Sequence, residues 1–151
     1  MNRRLGATVC GFLIQLAPGH AAELPQYVRG PISGLQLGCE EAKQKVPAAE
    51  AYVTRGDLDG DGKPDFVVEI AKGCQSNRDL YCNDEGCLID IYLSTEELQM
   101  GSLKVKSFKI VKKAGKPGLL ITKGGSACSK LPGGLCEELQ VFNGEKFVVL
   151  P

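Results

Sequence analysis

The 151 residues carry 18 basic and 18 acidic side chains, so no net charge is available to hold nucleic acid or an anionic membrane by its phosphates. Their number predicts one domain. The single histidine, His20, lies near the N-terminus, so the rest of the chain offers no Ser-His or Cys-His pair and no histidine general base.

The chain opens as a secretory leader does. Arg3 and Arg4 form a basic start, Leu5 to Leu16 is mostly apolar, and Pro18-Gly19-His20-Ala21-Ala22 supplies small residues. Cleavage after Ala21 places Gly19 at −3 and Ala21 at −1, so residues 1–21 read as a signal peptide and 22–151 as the domain. Gly6 and Ala7 stand where a twin-arginine signal needs bulky apolar residues, and Val9 before Cys10 is a poor lipoprotein site. An apolar run of about 12 residues is too short to span a bilayer comfortably. Loss of residues 1–21 removes Arg3 and Arg4, leaving 16 basic against 18 acidic residues and a net charge of about −2. The seven cysteines become six, an even set that in an oxidising compartment reads as a disulfide framework. His20 leaves as well.

Ala22 to Pro31, with Pro25 and Pro31, shows no clear period and is predicted to be an extended arm. Ser33 and Gln36 have capping-box spacing, and behind them Leu35, Cys39, Ala42 and Val46 recur as one helical stripe that Pro47 ends. Gly34 and Gly38 each cost that helix about 1 kcal/mol against alanine, so it depends on docking.

Next comes Asp57-Leu58-Asp59-Gly60-Asp61-Gly62-Lys63-Pro64-Asp65. Carboxylates at positions 1, 3, 5 and 9 with glycine at 6 open an EF-hand calcium loop, in which oxygens wrap a hard cation. Position 12, the usual bidentate Glu, is Val68, and Glu69 is one residue late. The flanks Ala51–Arg55 and Phe66–Ile70 are β-rich, so the loop is expected to join strands. Four carboxylates within nine residues repel one another without a cation, although Asp-Gly pairs also favour a metal-free turn. The expected ligands are the side chains of Asp57, Asp59, Asp61 and Asp65 with the backbone carbonyl of Lys63. The loop resembles that of FG-GAP/VCBS-type β modules, D-x-[DN]-x-D-G-x-x-D before a hydrophobic strand.

Beyond it the pattern is strands. Ile89, Ile91 and Leu93 alternate against Asp90 and Tyr92. Leu103 and Val105 are out of phase with Phe108 and Ile110, which predicts a bulge near Ser107. Leu119 to Thr122 reads as a short strand, and Leu139, Val141, Phe147 and Val149 flank the hairpin signal Asn143-Gly144-Glu145. About seven strands with one N-terminal helix predict a mainly β (α+β) antiparallel domain stapled by disulfides. Lys104, Lys106, Lys109, Lys112, Lys113 and Lys116 read as an edge strand guarded by lysines, or as contact with an acidic partner.

Short loops favour Cys82–Cys87 and Cys128–Cys136, leaving Cys39 with Cys74, among the 15 pairings that six cysteines allow. A cysteine zinc site is the alternative. Asp84, Glu85 and Asp90 could serve a paired-carboxylate hydrolase but lack a partner motif, and the glycine pairs at 124–125 and 133–134 carry no nucleotide signal.

Taken together, the calcium loop, C-x4-C before a strand, Gly-Ser-Ala-Cys with a later Cys, and the Asn-Gly hairpin are similar to a group of small exported bacterial proteins of unknown function. That group carries Trp near the final hairpin where this chain has Phe142. The resemblance implies a periplasmic or secreted location in a bacterium. The expectation is a non-catalytic, monomeric domain stabilised by Ca2+ that binds a protein or other envelope macromolecule and no nucleic acid. Within that class it would suit an inhibitor of, or immunity protein against, a wall-active enzyme or toxin; a metal-assisted hydrolase and a purely structural envelope component are the alternatives. Contact is expected through the bridged loop Gly124–Cys136, at Ser126, Lys130, Leu131 and Leu135.

Overall fold

The computed structural model describes residues 23–74, 78–129, 131 and 134–150. The leader at 1–21 and Lys130 lie outside the described residues. Eight strands form two four-stranded antiparallel sheets. The first holds β1 (Val53–Gly56), β2 (Asp65–Glu69), β3 (Cys87–Leu93) and β4 (Leu98–Val105). The second holds β5 (Ser107–Lys113), β6 (Lys116–Lys123), β7 (Cys136–Phe142) and β8 (Phe147–Leu150). Within each sheet the strands lie in sequence order, each pairing with its neighbour, so the sheets are consecutive halves of the chain.

Two apolar layers follow from the strand alternation. Val67, Ile89, Ile91, Leu93 and Val105 of the first sheet meet Leu119 and Ile121 of the second, with Leu58 among them. On the opposite face Phe66, Val68 and Tyr92 pack against a helix, α1 (Gln26–Glu41). The first sheet is thus covered on both sides, which is why β2 is buried at four consecutive residues.

Three expectations change. The segment 26–31 is helical, not extended: α1 begins after Pro25 and runs through Pro31. Proline there forfeits a bond to the Tyr27 carbonyl, but Val28, Ile32, Leu35 and Cys39 make a longer stripe than the one beginning at Leu35, and its burial on the first sheet outweighs the loss. Ser33 is accordingly not a cap; its hydroxyl donates to the Arg29 carbonyl one turn back, at 2.9 Å. The helix ends at Glu41, followed by Lys43 at φ 55°, so Val46 lies outside it.

The second change is at Ser107. The single bulged strand expected over 103–110 is two strands in different sheets, which brings the strand number to eight. Lys106 already pairs with the second sheet, donating to the Thr122 carbonyl at 2.7 Å. The phase slip is the chain changing sheets; the bulge in the first sheet occurs instead between Ile91 and Tyr92. Third, the strand run does not extend through Ile70: Ile70–Gly73 is a single helical turn, α2, and a second turn, α3, covers Arg78–Tyr81.

The cysteines pair as Cys39–Cys74, Cys82–Cys87 and Cys128–Cys136. The first bridge ties α1 to the residue after α2. Six bridged sulfurs supply no thiolates, which removes the zinc reading.

Candidate functional site

Gly56 pairs with Asp65 at the root of the β1–β2 hairpin, and the aspartate loop fills the eight positions between them. Its conformation follows from its own side chains. Asp57 Oδ1 accepts from the Gly60 N–H at 2.6 Å, Asp59 Oδ1 from Asp61 at 3.0 Å and Asp61 Oδ1 from Lys63 at 2.7 Å. Gly62, the sixth position, has φ 83°, where a side chain would be strained. Leu58 is fully buried in the layer between the sheets and pins the loop down.

These turns bring Asp57, Asp59 and Asp61 together, with one carboxylate oxygen of each within 4.8 Å of the others. Among the described residues this is the one group of three or more such side chains close enough to hold a metal ion. An all-oxygen set of this kind suits a hard cation. The Lys63 N–H holds the Asp61 carboxyl below the usual carboxylate range, with Thr95 and the Lys63 ammonium acting the same way.

Asp65 is placed differently from its three companions. It is fully buried; Oδ2 accepts from the Leu58 N–H at 2.7 Å and Oδ1 from the Ser94 N–H at 2.8 Å. Burial raises its pKa, partly offset by those two bonds. Asp65 thus ties the loop to the β3–β4 turn. The same turn contributes Thr95, whose Oγ1 lies 2.6 Å from Asp59 Oδ2 and 3.2 Å from Asp61 Oδ2. Thr95 is a member of the site that the sequence reading missed; it is 34 residues from Asp61, in a polar turn with no metal-ligand spacing. Val68 and Glu69 stand apart from the loop: Val68 is buried under α1 and Glu69 pairs with Lys72 at 2.7 Å.

The bridged loops lie at the other end of the sheets. β3 starts at Cys87 and ends at Leu93 beside the aspartate loop, a span of about 20 Å. At the Cys87 end the Gly124 N–H donates to the Glu85 carbonyl at 3.0 Å, joining the Cys82–Cys87 turn to the root of the Cys128–Cys136 loop. A Cβ on Gly124 would come within 2.7 Å of the Asp84 carbonyl oxygen, so only glycine permits that approach. Within the loop Ser126 is exposed, and Leu131 and Leu135 are each 48% exposed.

Asp84 and Glu85 belong to this junction, whereas Asp90 lies farther along β3, accepting from the Ser102 hydroxyl at 2.5 Å. The lysine run covers strand edges, because β4 and β5 are both outermost in their sheets and Lys109, Lys112 and Lys113 are exposed on β5. No protein-family model, curated protein or solved structure matches the chain.

Proposed function

We propose that the chain is an exported, non-catalytic β domain, held rigid by calcium and three disulfides, that presents the bridged end of its sheets to another macromolecule of the bacterial envelope. The observation that carries this reading is the convergence of Asp57, Asp59 and Asp61 on a loop anchored from both sides, by Leu58 in the core and by Asp65 on the β3–β4 turn. The carboxylates and the backbone carbonyl of Lys63 would supply the oxygens, and the cation would relieve their repulsion. Because the loop lies at the end opposite Leu131 and Leu135, calcium has a structural part and recognition falls to the bridged end. Bridged sulfurs accord with an oxidising, exported location. Among the described residues no helix is long and apolar enough to cross a membrane.

Calorimetry and melting test the metal. Lacking a twelfth-position Glu, the site is expected to bind calcium with Kd of roughly 10⁻⁵–10⁻³ M. At 100-fold excess over Kd the folded state gains about 2.7 kcal/mol, read as a higher Tm. Asp57→Ala and Asp61→Ala should each abolish that increment, and Asp84→Ala, at the far end, should leave it intact. No heat at millimolar calcium, with a Tm indifferent to EDTA, would refute the metal-stabilised reading.

A further inference from the structure

A recess of about 840 Å³ opens at the bridged end of the first sheet. It exists because the β2–β3 ladder stops at Glu69 and Ile89, where β2 turns into α2, and on that side of β3 only the isolated bridge from Cys82 to Cys87 follows. Val46, Pro47, Ala71 and Leu88 give it an apolar lining. The charged residues lining it are four cations, Lys45, Lys72, Arg78 and Lys106, and one carboxylate, Glu69, while Asp84 and Glu85 stand against Gly125 beyond Lys106. Lys72 already neutralises Glu69. The other three are exposed and make no ion pair among the described residues.

A near-neutral chain has gathered a local excess of positive charge around an apolar recess, and complementarity asks for negative charge on an apolar body. The cations come from four separate parts of the chain: the segment after α1, α2, α3 and the β4–β5 corner. A lone phosphate is best held by converging, sheltered donors, and a membrane needs protruding apolar groups. Charges spread around a recess match carboxylates spread along a chain. An extended segment that alternates acidic and apolar residues can place its apolar side chains on Val46 and Leu88 and its carboxylates at the rim. The volume lies within the roughly 300–1,000 Å³ usual for ligand pockets.

We infer that this groove binds an extended acidic segment of a partner protein. The groove is continuous with the bridged loop, since a Cβ on Gly124 would meet Lys106 Cε at 2.7 Å, so the lysine stem lies across the loop's root. The inference names the partner chemistry of the binding module proposed above and rests on that reading for its biological sense. It does not depend on the metal.

The test is fluorescence anisotropy with a labelled peptide alternating Glu with Leu or Val. Saturable binding that weakens as salt is added is expected. Reversal at Arg78→Glu with Lys106→Glu should weaken it at least ~10-fold, while Lys112→Glu with Lys113→Glu, the same charge change at the far end of β5, should leave it unchanged. Equal losses in the two pairs would reduce the effect to net charge and overturn the groove. So would equal binding of the peptide with Lys in place of Glu, a better fit to oligo-deoxythymidine or anionic vesicles, or no saturation at millimolar peptide. Calcium titration of the same protein is read separately: silence there removes the metal reading and leaves this one standing.

Discussion

Cross-links that close chain segments of different length provide a graded test of what holds the domain together. Cys39–Cys74 spans 35 residues, Cys128–Cys136 spans 8 and Cys82–Cys87 spans 5. Loop-closure entropy then assigns them about 3.8, 2.5 and 2.1 kcal/mol at 25 °C. Against a total stability of roughly 5–15 kcal/mol, only the first removes a large share. Burial sharpens the order, because both cysteines of the long bridge are buried, only Cys128 of the second, and neither of the third, so alanine loses most packing at Cys39 and Cys74. Each bridge is removed by a paired Cys→Ala change and followed by urea unfolding. With a slope of about 2 kcal/mol/M, Cys39→Ala/Cys74→Ala should lower the midpoint by about 2 M, and the slope itself should rise as the unfolded chain expands. The other two pairs should lower it by about 1 M each. A loss under about 1 kcal/mol for the long bridge, or a larger loss for Cys82→Ala/Cys87→Ala, would refute the entropic account.

Burial raises the pKa of Asp90, with the Ser102 hydroxyl pulling the other way. The folded state therefore holds that proton more tightly than the unfolded chain. Its stabilisation is full below the unfolded pKa and is lost as pH rises through the folded one. Asp90→Asn keeps an acceptor for Ser102 without the charge, so it should gain on the wild type between about pH 3 and pH 7 in urea titrations; a pH-independent difference would refute this. In the β5–β6 turn Ala114 and Gly115 have φ 51° and 81°. Such a turn prefers Asn-Gly, and a left-handed conformation costs alanine roughly 1 kcal/mol, less for asparagine, so Ala114→Asn should raise stability by a part of that, and a lowered Tm would count against it.

What could be read from sequence was what is local. The alternation of Ile89, Ile91 and Leu93, the Asn143-Gly144 hairpin, the bridges Cys82–Cys87 and Cys128–Cys136 and the gathering of Asp57, Asp59 and Asp61 each depend on residues near one another or on loops short enough to close, and Cys39–Cys74 follows from the two short bridges by elimination. The rest depends on what packs against what. A helix through Pro31 looks unfavourable until the first sheet buries Val28 and Ile32. A phase slip at Ser107 reads as a bulge unless a second sheet is there to receive the chain. Thr95 reaches Asp59 only after β3 has paired with β2. The spacing marks Asp65 as a ligand, and its acceptance of two backbone N–H bonds depends on Ser94, 29 residues on, lying beside it.

The division of the chain at Lys106 has a kinetic consequence. Every strand pair joins sequence neighbours, so each sheet closes only short loops and contact order within it is low for a β protein. The slow step should be the docking of two preassembled halves. The aspartate loop is made wholly by the first half, yet Leu58 is buried with Leu119 of the second. On the proposed calcium reading, metal affinity should therefore mature late, as the halves meet, and a calcium signal during refolding would time their docking.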